Sequence, residues 1–101
     1  RFLIIGDMLE LGPLSKSAHH ELGQEVTLSK VDHLVTVGPL ASLAAESAKK
    51  NSRHPLQIGK FDTHAEAVNY LLRNAKKGDS LLIKGSRGAK MENVIQEYLN
   101  T

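Results

Sequence analysis

The chain has 101 residues, 41% of them hydrophobic, and its 13 basic and 11 acidic residues give a formal net charge of +2. A domain of this size buries on the order of 65% of its unfolded surface, and without cysteine it must be held together by packing rather than by disulfides. Dispersed charge and 4% aromatic content disfavour nucleic acid as a partner, and no apolar stretch approaches the roughly 20 residues that cross a bilayer.

The sequence opens with "RFLIIGDM", which is too short for a signal peptide and carries no cleavage site. It is typical of a strand, and because it starts directly at Arg1 we expect the chain to be a fragment of a longer protein. The lack of cysteine fits a reducing compartment, so the expected location is the cytoplasm.

Four short apolar runs alternate with four helical patterns along the chain. The runs cover residues 2–6, 33–38, 56–59 and 80–85, and each ends in glycine. The first, second and fourth are nearly continuous apolar stretches, as expected for strands that are covered on both faces of a parallel sheet. This alternation predicts a three-layer α/β domain with a mostly parallel sheet and helices on both faces.

The segments between these runs carry helix signals. Pro39 suits a first helical position, and Thr63 with Glu66 forms a capping-box pattern. Gly78 follows two lysines as a stop signal. The predicted apolar faces are Ala18, Leu22 and Val26 in the first helix, Leu40, Leu43, Ala44 and Ala48 in the second, Val68, Leu71, Leu72 and Ala75 in the third, and Met91, Val94, Ile95, Tyr98 and Leu99 in the last.

Two carboxylates follow the first run, in the stretch "GDMLELG" at residues 6–12. Asp7 and Glu10 could face a site that holds a ribose hydroxyl, an amine or a hydrated metal. The alternative is a simple turn in which Asp7 bonds its own backbone amides. Ligands gather beyond the carboxyl ends of parallel strands, which is where this loop lies.

Two adjacent histidines, His19 and His20, lie near the start of the first helix. Neighbours on a helix point about a hundred degrees apart, so this pair cannot chelate one metal as an i, i+4 pair could. One of them could approach the loop after the first strand while the other stays in solvent. Each taken alone is typical of a surface or packing histidine.

The fourth run leads into "KGSRGAKME", where two glycines flank Ser86 and Arg87 before a helix begins. A helix N-terminus suits an anion, Lys84 and Arg87 add positive charge, and Ser86 adds a hydroxyl. The alternative is a glycine-rich connection with solvated cations. The chain contains no Walker A spacing, no G-x-G-x-x-G and no cysteine or G-x-S-x-G nucleophile, so in an enzyme it would contribute part of a site completed elsewhere.

Taken together, "GDMLELG", "HHELG" and "LLIKGSRGAKMENV" resemble the C-terminal domain of the bacterial Mur ligases over the whole chain, 1–101. The resemblance is greatest to the branch that joins D-Ala-D-Ala to UDP-MurNAc-tripeptide in peptidoglycan precursor synthesis. It implies a Rossmann-like fold in an ATP- and Mg²⁺-dependent amide ligase of three domains. The first two domains, which carry the UDP-sugar site and the P-loop, are missing here, so the fragment would be catalytically inactive and bind no cofactor alone.

The resemblance also assigns roles to individual positions. It implies that Asp7 faces ATP near the ribose, and that Lys84, Ser86 and Arg87 contact the incoming dipeptide. Glu10 and His19 match the pattern as supporting residues of the loop. The resemblance implies no catalytic residue and no metal ligand in this chain, and neither nucleic acid nor membrane as a partner.

Two alternatives remain open from the sequence. A stand-alone flavodoxin-like or receiver-like binding module would use Asp7 and Glu10 as an acidic pocket, although Asp62 lies too far beyond the third run for a receiver's phosphorylated aspartate. A related ligase of the folylpolyglutamate or cyanophycin type would share the fold but is not expected to carry both motifs.

Overall fold

A computed structural model of the chain describes residues 1–7, 15–26, 30–51, 55–84 and 90–100. Strands and helices alternate in these ranges, as the sequence predicts. The strands are β1 (Phe2–Gly6), β2 (His33–Val37), β3 (Gln57–Phe61) and β4 (Leu81–Lys84), and the helices are α1 (Ser15–Val26), α2 (Ala41–Asn51), α3 (His64–Asn74) and α4 (Glu92–Leu99). No helix in the described ranges is both long and apolar enough to span a membrane.

The four strands form one parallel sheet in the order β3-β2-β1-β4. The chain therefore steps outward from β1 to β2 and β3, and then returns to place β4 on the other side of β1. The direction of winding reverses between β1 and β4. In open α/β sheets such a reversal leaves a crevice at the carboxyl ends of the two strands, and that crevice is the usual ligand position.

Helices cover both faces of the sheet and enclose two separate cores. On one face Leu3, Ile5 and Leu34 pack with buried residues of α1 and α2. On the other face Ile4 and Val35 pack with buried residues of α3 and α4. The alternation of strand side chains between the two faces accounts for this division, and it confirms the predicted three-layer α/β architecture.

Strand β4 is less covered than its apolar sequence predicts. Leu82 is 58% exposed, whereas Leu3, its register partner on β1, is 6% exposed. Along β4 partly buried and exposed residues alternate. The expectation of burial on both faces is therefore wrong for β4, because this strand is at the edge of the described sheet and one of its faces is open.

The helix boundaries confirm some local signals and correct others. Thr63 and Glu66 form a complete capping box at the start of α3, and Gly78 has a φ of +96° in the turn after that helix. Pro39 is not the first residue of α2, which begins at Ala41. Ser42 N–H donates to the carbonyl of Gly38 at 3.1 Å, but the next amide, that of Leu43, donates only three residues back, to Leu40, at 3.0 Å. The first turn is therefore irregular and the regular helix begins after Pro39.

The buried face of α1 is shifted relative to the predicted one. His19, Gly23 and Val26 are buried, while Ala18 and Leu22 are only partly buried. A Cβ on Gly23 would lie 2.2 Å from the carbonyl oxygen of Ala44, so the two helix backbones nearly touch at this glycine. This close approach turns the Gly23 side of α1 toward α2.

Candidate functional site

The crevice between β1 and β4 brings together the ends of two loops that the sequence singles out. Asp7 directly follows β1, and Lys84 is the last residue of β4. Lys84 is the register partner of Ile5, two positions before Asp7. Because side chains alternate along a strand and match across a parallel pair, Asp7 and Lys84 belong to the same side of the sheet as α1 and α2.

The carboxylate of Asp7 is bound to the N-terminus of α2. Its Oδ1 accepts a hydrogen bond of 2.7 Å from the backbone N–H of Ala41, the first residue of that helix. A carboxylate at this position satisfies an otherwise unpaired amide and interacts favourably with the positive end of the helix dipole. The contact joins the end of β1 to the start of α2 across 34 positions of sequence.

Gly38, which directly follows β2, also lies beside Asp7. It has a φ of +109°, and a Cβ placed on it would lie 2.6 Å from the Cγ of Asp7. Its N–H donates to the carbonyl of Phe61 at the end of β3, at 2.9 Å. The sequence marked Gly38 only as the end of an apolar run; its contact with Asp7 depends on the neighbouring strands.

On the β4 side, the structure describes the predicted site residue Lys84, which is exposed at the end of the strand. The structure therefore brings one carboxylate and one ammonium group to the two strand ends that flank the reversal of winding. A carboxylate and an ammonium group at the ends of neighbouring strands suit a ligand that has both a hydrogen-bonding and an anionic part.

The two histidines have different environments. His19 is fully buried on α1, at 0% exposure, while His20 is exposed. His19 is thus an internal residue of the helix that follows the Asp7 loop. Its predicted supporting role for that loop remains a prediction.

Three predicted site residues, Glu10, Ser86 and Arg87, lie outside the described residues. The chain is described again from Lys90, a non-glycine residue with a φ of +50°, and α4 begins two residues later. The N-cap residue of α4, Met91, makes no capping hydrogen bond with its side chain.

No group of three or more His, Cys, Asp or Glu side chains converges within the described ranges. His33, which has a shifted pKa, begins β2 at the opposite end of the sheet from the crevice. Burial lowers the pKa of His33, and burial also raises the pKa of Tyr70, whose hydroxyl is 2.8 Å from His33 Nδ1. This partly buried pair therefore lies away from the candidate site.

An open groove of about 480 Å³ lies elsewhere, between α2 and β3. It is lined by Ala45, Glu46, Lys49, Leu56, Ile58 and Lys60. None of the predicted site residues lines this groove, so the crevice between β1 and β4 remains the candidate site.

Comparison with known protein families gives one family match that covers most of the chain. The family described as Mur ligase, glutamate ligase domain, matches residues 1–87. Among curated relatives, the UDP-N-acetylmuramoyl-tripeptide--D-alanyl-D-alanine ligase of Bacillus subtilis is 33% identical over 101 residues, and that of Escherichia coli K12 is 31% identical over 96 residues.

Solved structures of similar proteins agree with these matches. MurF from Acinetobacter baumannii superposes with a TM-score of 0.82 at 32% identity, covering 100% of this chain. MurF ligase from Thermotoga maritima in complex with ADP superposes with a TM-score of 0.75 at 27% identity, covering 98% of this chain. The chain spans about a fifth of the length of these relatives, with 22% of the B. subtilis protein and 21% of the T. maritima chain covered.

Proposed function

Because the chain belongs to the Mur ligase family, in its glutamate ligase domain, we propose that residues 1–101 are part of the C-terminal domain of an ATP-dependent amide ligase. The proposed enzyme adds D-Ala-D-Ala to UDP-MurNAc-tripeptide in the synthesis of the peptidoglycan precursor. The names of the relatives support this substrate pair over a folylpolyglutamate or cyanophycin ligase. The match to an enzyme family also favours it over a stand-alone receiver-like module.

The proposed reaction has two steps. ATP phosphorylates the carboxylate of the tripeptide to an acyl phosphate and leaves as ADP. The amino group of D-Ala-D-Ala then attacks the acyl carbon, an amide bond forms, and inorganic phosphate leaves. The contribution of this chain would be to position ligands rather than to react with them, so it would be inactive alone.

The remaining parts of the reaction would come from the rest of the protein, which would operate in the cytoplasm, where its nucleotide-linked substrate is made. The central domain would carry the P-loop and Mg²⁺, and the first domain would bind the UDP-sugar. ATP and Mg²⁺ would act in the full-length enzyme, and neither would be held by this domain alone.

One observation carries the assignment within this chain: Asp7 and Lys84 occupy the two strand ends that flank the reversal of winding in the sheet. We assign the Asp7 side to ATP, near the ribose. We assign Lys84, with Ser86 and Arg87 of the following loop, to the dipeptide, whose free carboxylate suits a bidentate arginine. Glu10 and His19 would support the first of these two loops.

Steady-state kinetics of the full-length ligase tests this division. We expect Asp7→Ala to raise the KM for ATP and Arg87→Ala to raise the KM for D-Ala-D-Ala, each by about tenfold, because each removes one ligand contact. Lys77→Ala is the matched control, since Lys77 is exposed in the turn before β4, at the opposite end of the sheet. If neither variant differs from that control, the site assignment is wrong while the fold stands.

A further inference from the structure

We propose that Gly38 is a positioning residue for the nucleotide side of this site, because its missing side chain leaves the space that the Asp7 carboxylate occupies. The inference rests on the proposed function, in which Asp7 faces ATP. It adds a second requirement to that function. The position of the Asp7 carboxylate after β1 would depend on the absence of a side chain at Gly38, in the turn after β2.

The distances show how completely Asp7 fills this space. A Cβ on Gly38 would lie 2.6 Å from Cγ, 2.6 Å from Oδ1 and 2.7 Å from Oδ2 of Asp7. All three atoms of the carboxylate are therefore closer than any side-chain carbon tolerates, well inside the contact distance of about 3.5 Å between carbon atoms. Even an alanine at position 38 would force the carboxylate to move.

Gly38 itself cannot easily move away, because hydrogen bonds hold it on both sides. Its N–H donates to the carbonyl of Phe61 at 2.9 Å, and its carbonyl accepts from the N–H of Ser42 at 3.1 Å. The first bond ties it to β3 and the second to α2. The flexible partner in a collision would be the side chain of Asp7, which would lose its 2.7 Å hydrogen bond from Ala41.

A second glycine, Gly78, provides a control that distinguishes the effect of this collision from the effect of backbone strain. Gly78 also has a positive φ, +96°, but nothing lies within 4 Å of a Cβ placed there. An alanine at either position must adopt the left-handed region that side chains disfavour. An alanine at position 38 in addition meets Asp7, so the difference between the two variants reports the collision.

The experiment uses the full-length ligase with four variants: Gly38→Ala, Gly78→Ala, Asp7→Ala and Asp7→Glu. We expect Gly38→Ala to raise the KM for ATP by about tenfold, as a small misplacement of a positioning group does, with the KM for D-Ala-D-Ala unchanged. Gly78→Ala should lower the Tm while leaving both KM values at those of the parent enzyme. Asp7→Glu should also raise the KM for ATP, because its longer side chain keeps the charge but does not fit the space beside Gly38.

The outcomes distinguish this inference from the proposed function. If Asp7→Ala raises the KM for ATP but Gly38→Ala and Asp7→Glu behave like Gly78→Ala, the positioning role of Gly38 is refuted and the proposed function survives. If Asp7→Ala leaves the KM for ATP unchanged, the ATP assignment of Asp7 fails, and the inference fails with it. Should Gly38→Ala not fold, Asp7→Glu decides the question, because it leaves the backbone at position 38 intact.

Discussion

At the scale of single residues, His33 shows how partial burial affects a titratable group. Its ring stacks on Phe2 with centroids 4.1 Å apart and an angle of 1° between the planes, and its Nδ1 is 2.8 Å from the hydroxyl of Tyr70. Burial, helped by the positive amino group of Arg1, lowers its pKa below the usual 6.5, against the opposing effect of the carboxylates of Asp32 and Asp79. The folded state therefore favours the neutral ring.

This preference predicts a pH dependence of stability. Because the pKa of His33 is lower in the folded than in the unfolded chain, the unfolded chain binds more protons between the two values. The free energy of unfolding should be highest above pH 6.5 and should fall as the pH decreases through the folded pKa. Urea unfolding of the chain from pH 8 downward measures it.

The matched variants for this measurement are His33→Gln and His20→Gln. His33→Gln should flatten the dependence near pH 6.5, and His20→Gln, which replaces an exposed histidine, is the control. Equal pH profiles for the two variants would contradict the assignment to His33.

At the scale of elements, the pair α1 and α2 depends on small residues where the helices meet. A Cβ on Gly23 would lie 2.2 Å from the carbonyl oxygen of Ala44 and 2.8 Å from the Cβ of Ser47. The buried residues of α2 are all small: Ala41, Ala44, Ala45, Ser47 and Ala48. Backbones this close leave no room for a methyl group, so the packing of the pair depends on Gly23.

We therefore expect Gly23→Ala to destabilise the domain. Overpacking should cost about 3 kcal/mol and the better helix propensity of alanine should return about 1, for a net loss of about 2 kcal/mol.

Ser47→Ala is the control at the same contact: its hydroxyl is buried without a hydrogen-bond partner among the described residues. Removing that hydroxyl should change stability by no more than about 0.5 kcal/mol or improve it. Urea midpoints compare the two, and a loss for Ser47→Ala as large as for Gly23→Ala would show that the interface is not controlled by this glycine.

At the scale of the whole molecule, one face of the edge strand β4 exposes an apolar side chain. Leu82 is 58% exposed beside Leu3, which is 6% exposed on the adjacent strand. An exposed apolar side chain on an edge strand favours association with other chains. The 101-residue chain should therefore self-associate through this side at high concentration.

Separate substitutions of Leu82 and Leu3 in the 101-residue chain test that expectation. Leu82→Lys should change the free energy of unfolding by less than about 0.5 kcal/mol, because the side chain is already largely in water. It should also reduce self-association in sedimentation velocity. Leu3→Ala, its register partner, should cost about 2–5 kcal/mol through the cavity it leaves. Unchanged association of Leu82→Lys would place the contact elsewhere.

Local interactions in the sequence were sufficient to predict the number and type of the elements. The apolar runs at β1 and β2 and the capping box at Thr63 depend on neighbours within a few positions, so they are readable from the chain. That Asp7 and Lys84 lie at the same end of the sheet also follows from the sequence, since the carboxyl ends of parallel strands lie together.

Only the tertiary structure decided the order of the strands, the open face of β4 and the partners of Asp7. A run such as Leu81–Lys84 has the same composition at an edge as in the centre of a sheet, because exposure is set by what lies beside it. Asp7 contacts Ala41 across 34 positions, and Gly38 becomes important only because β1 and β2 are adjacent. Such contacts arise from the packing of distant segments, and no local pattern around Asp7 encodes them.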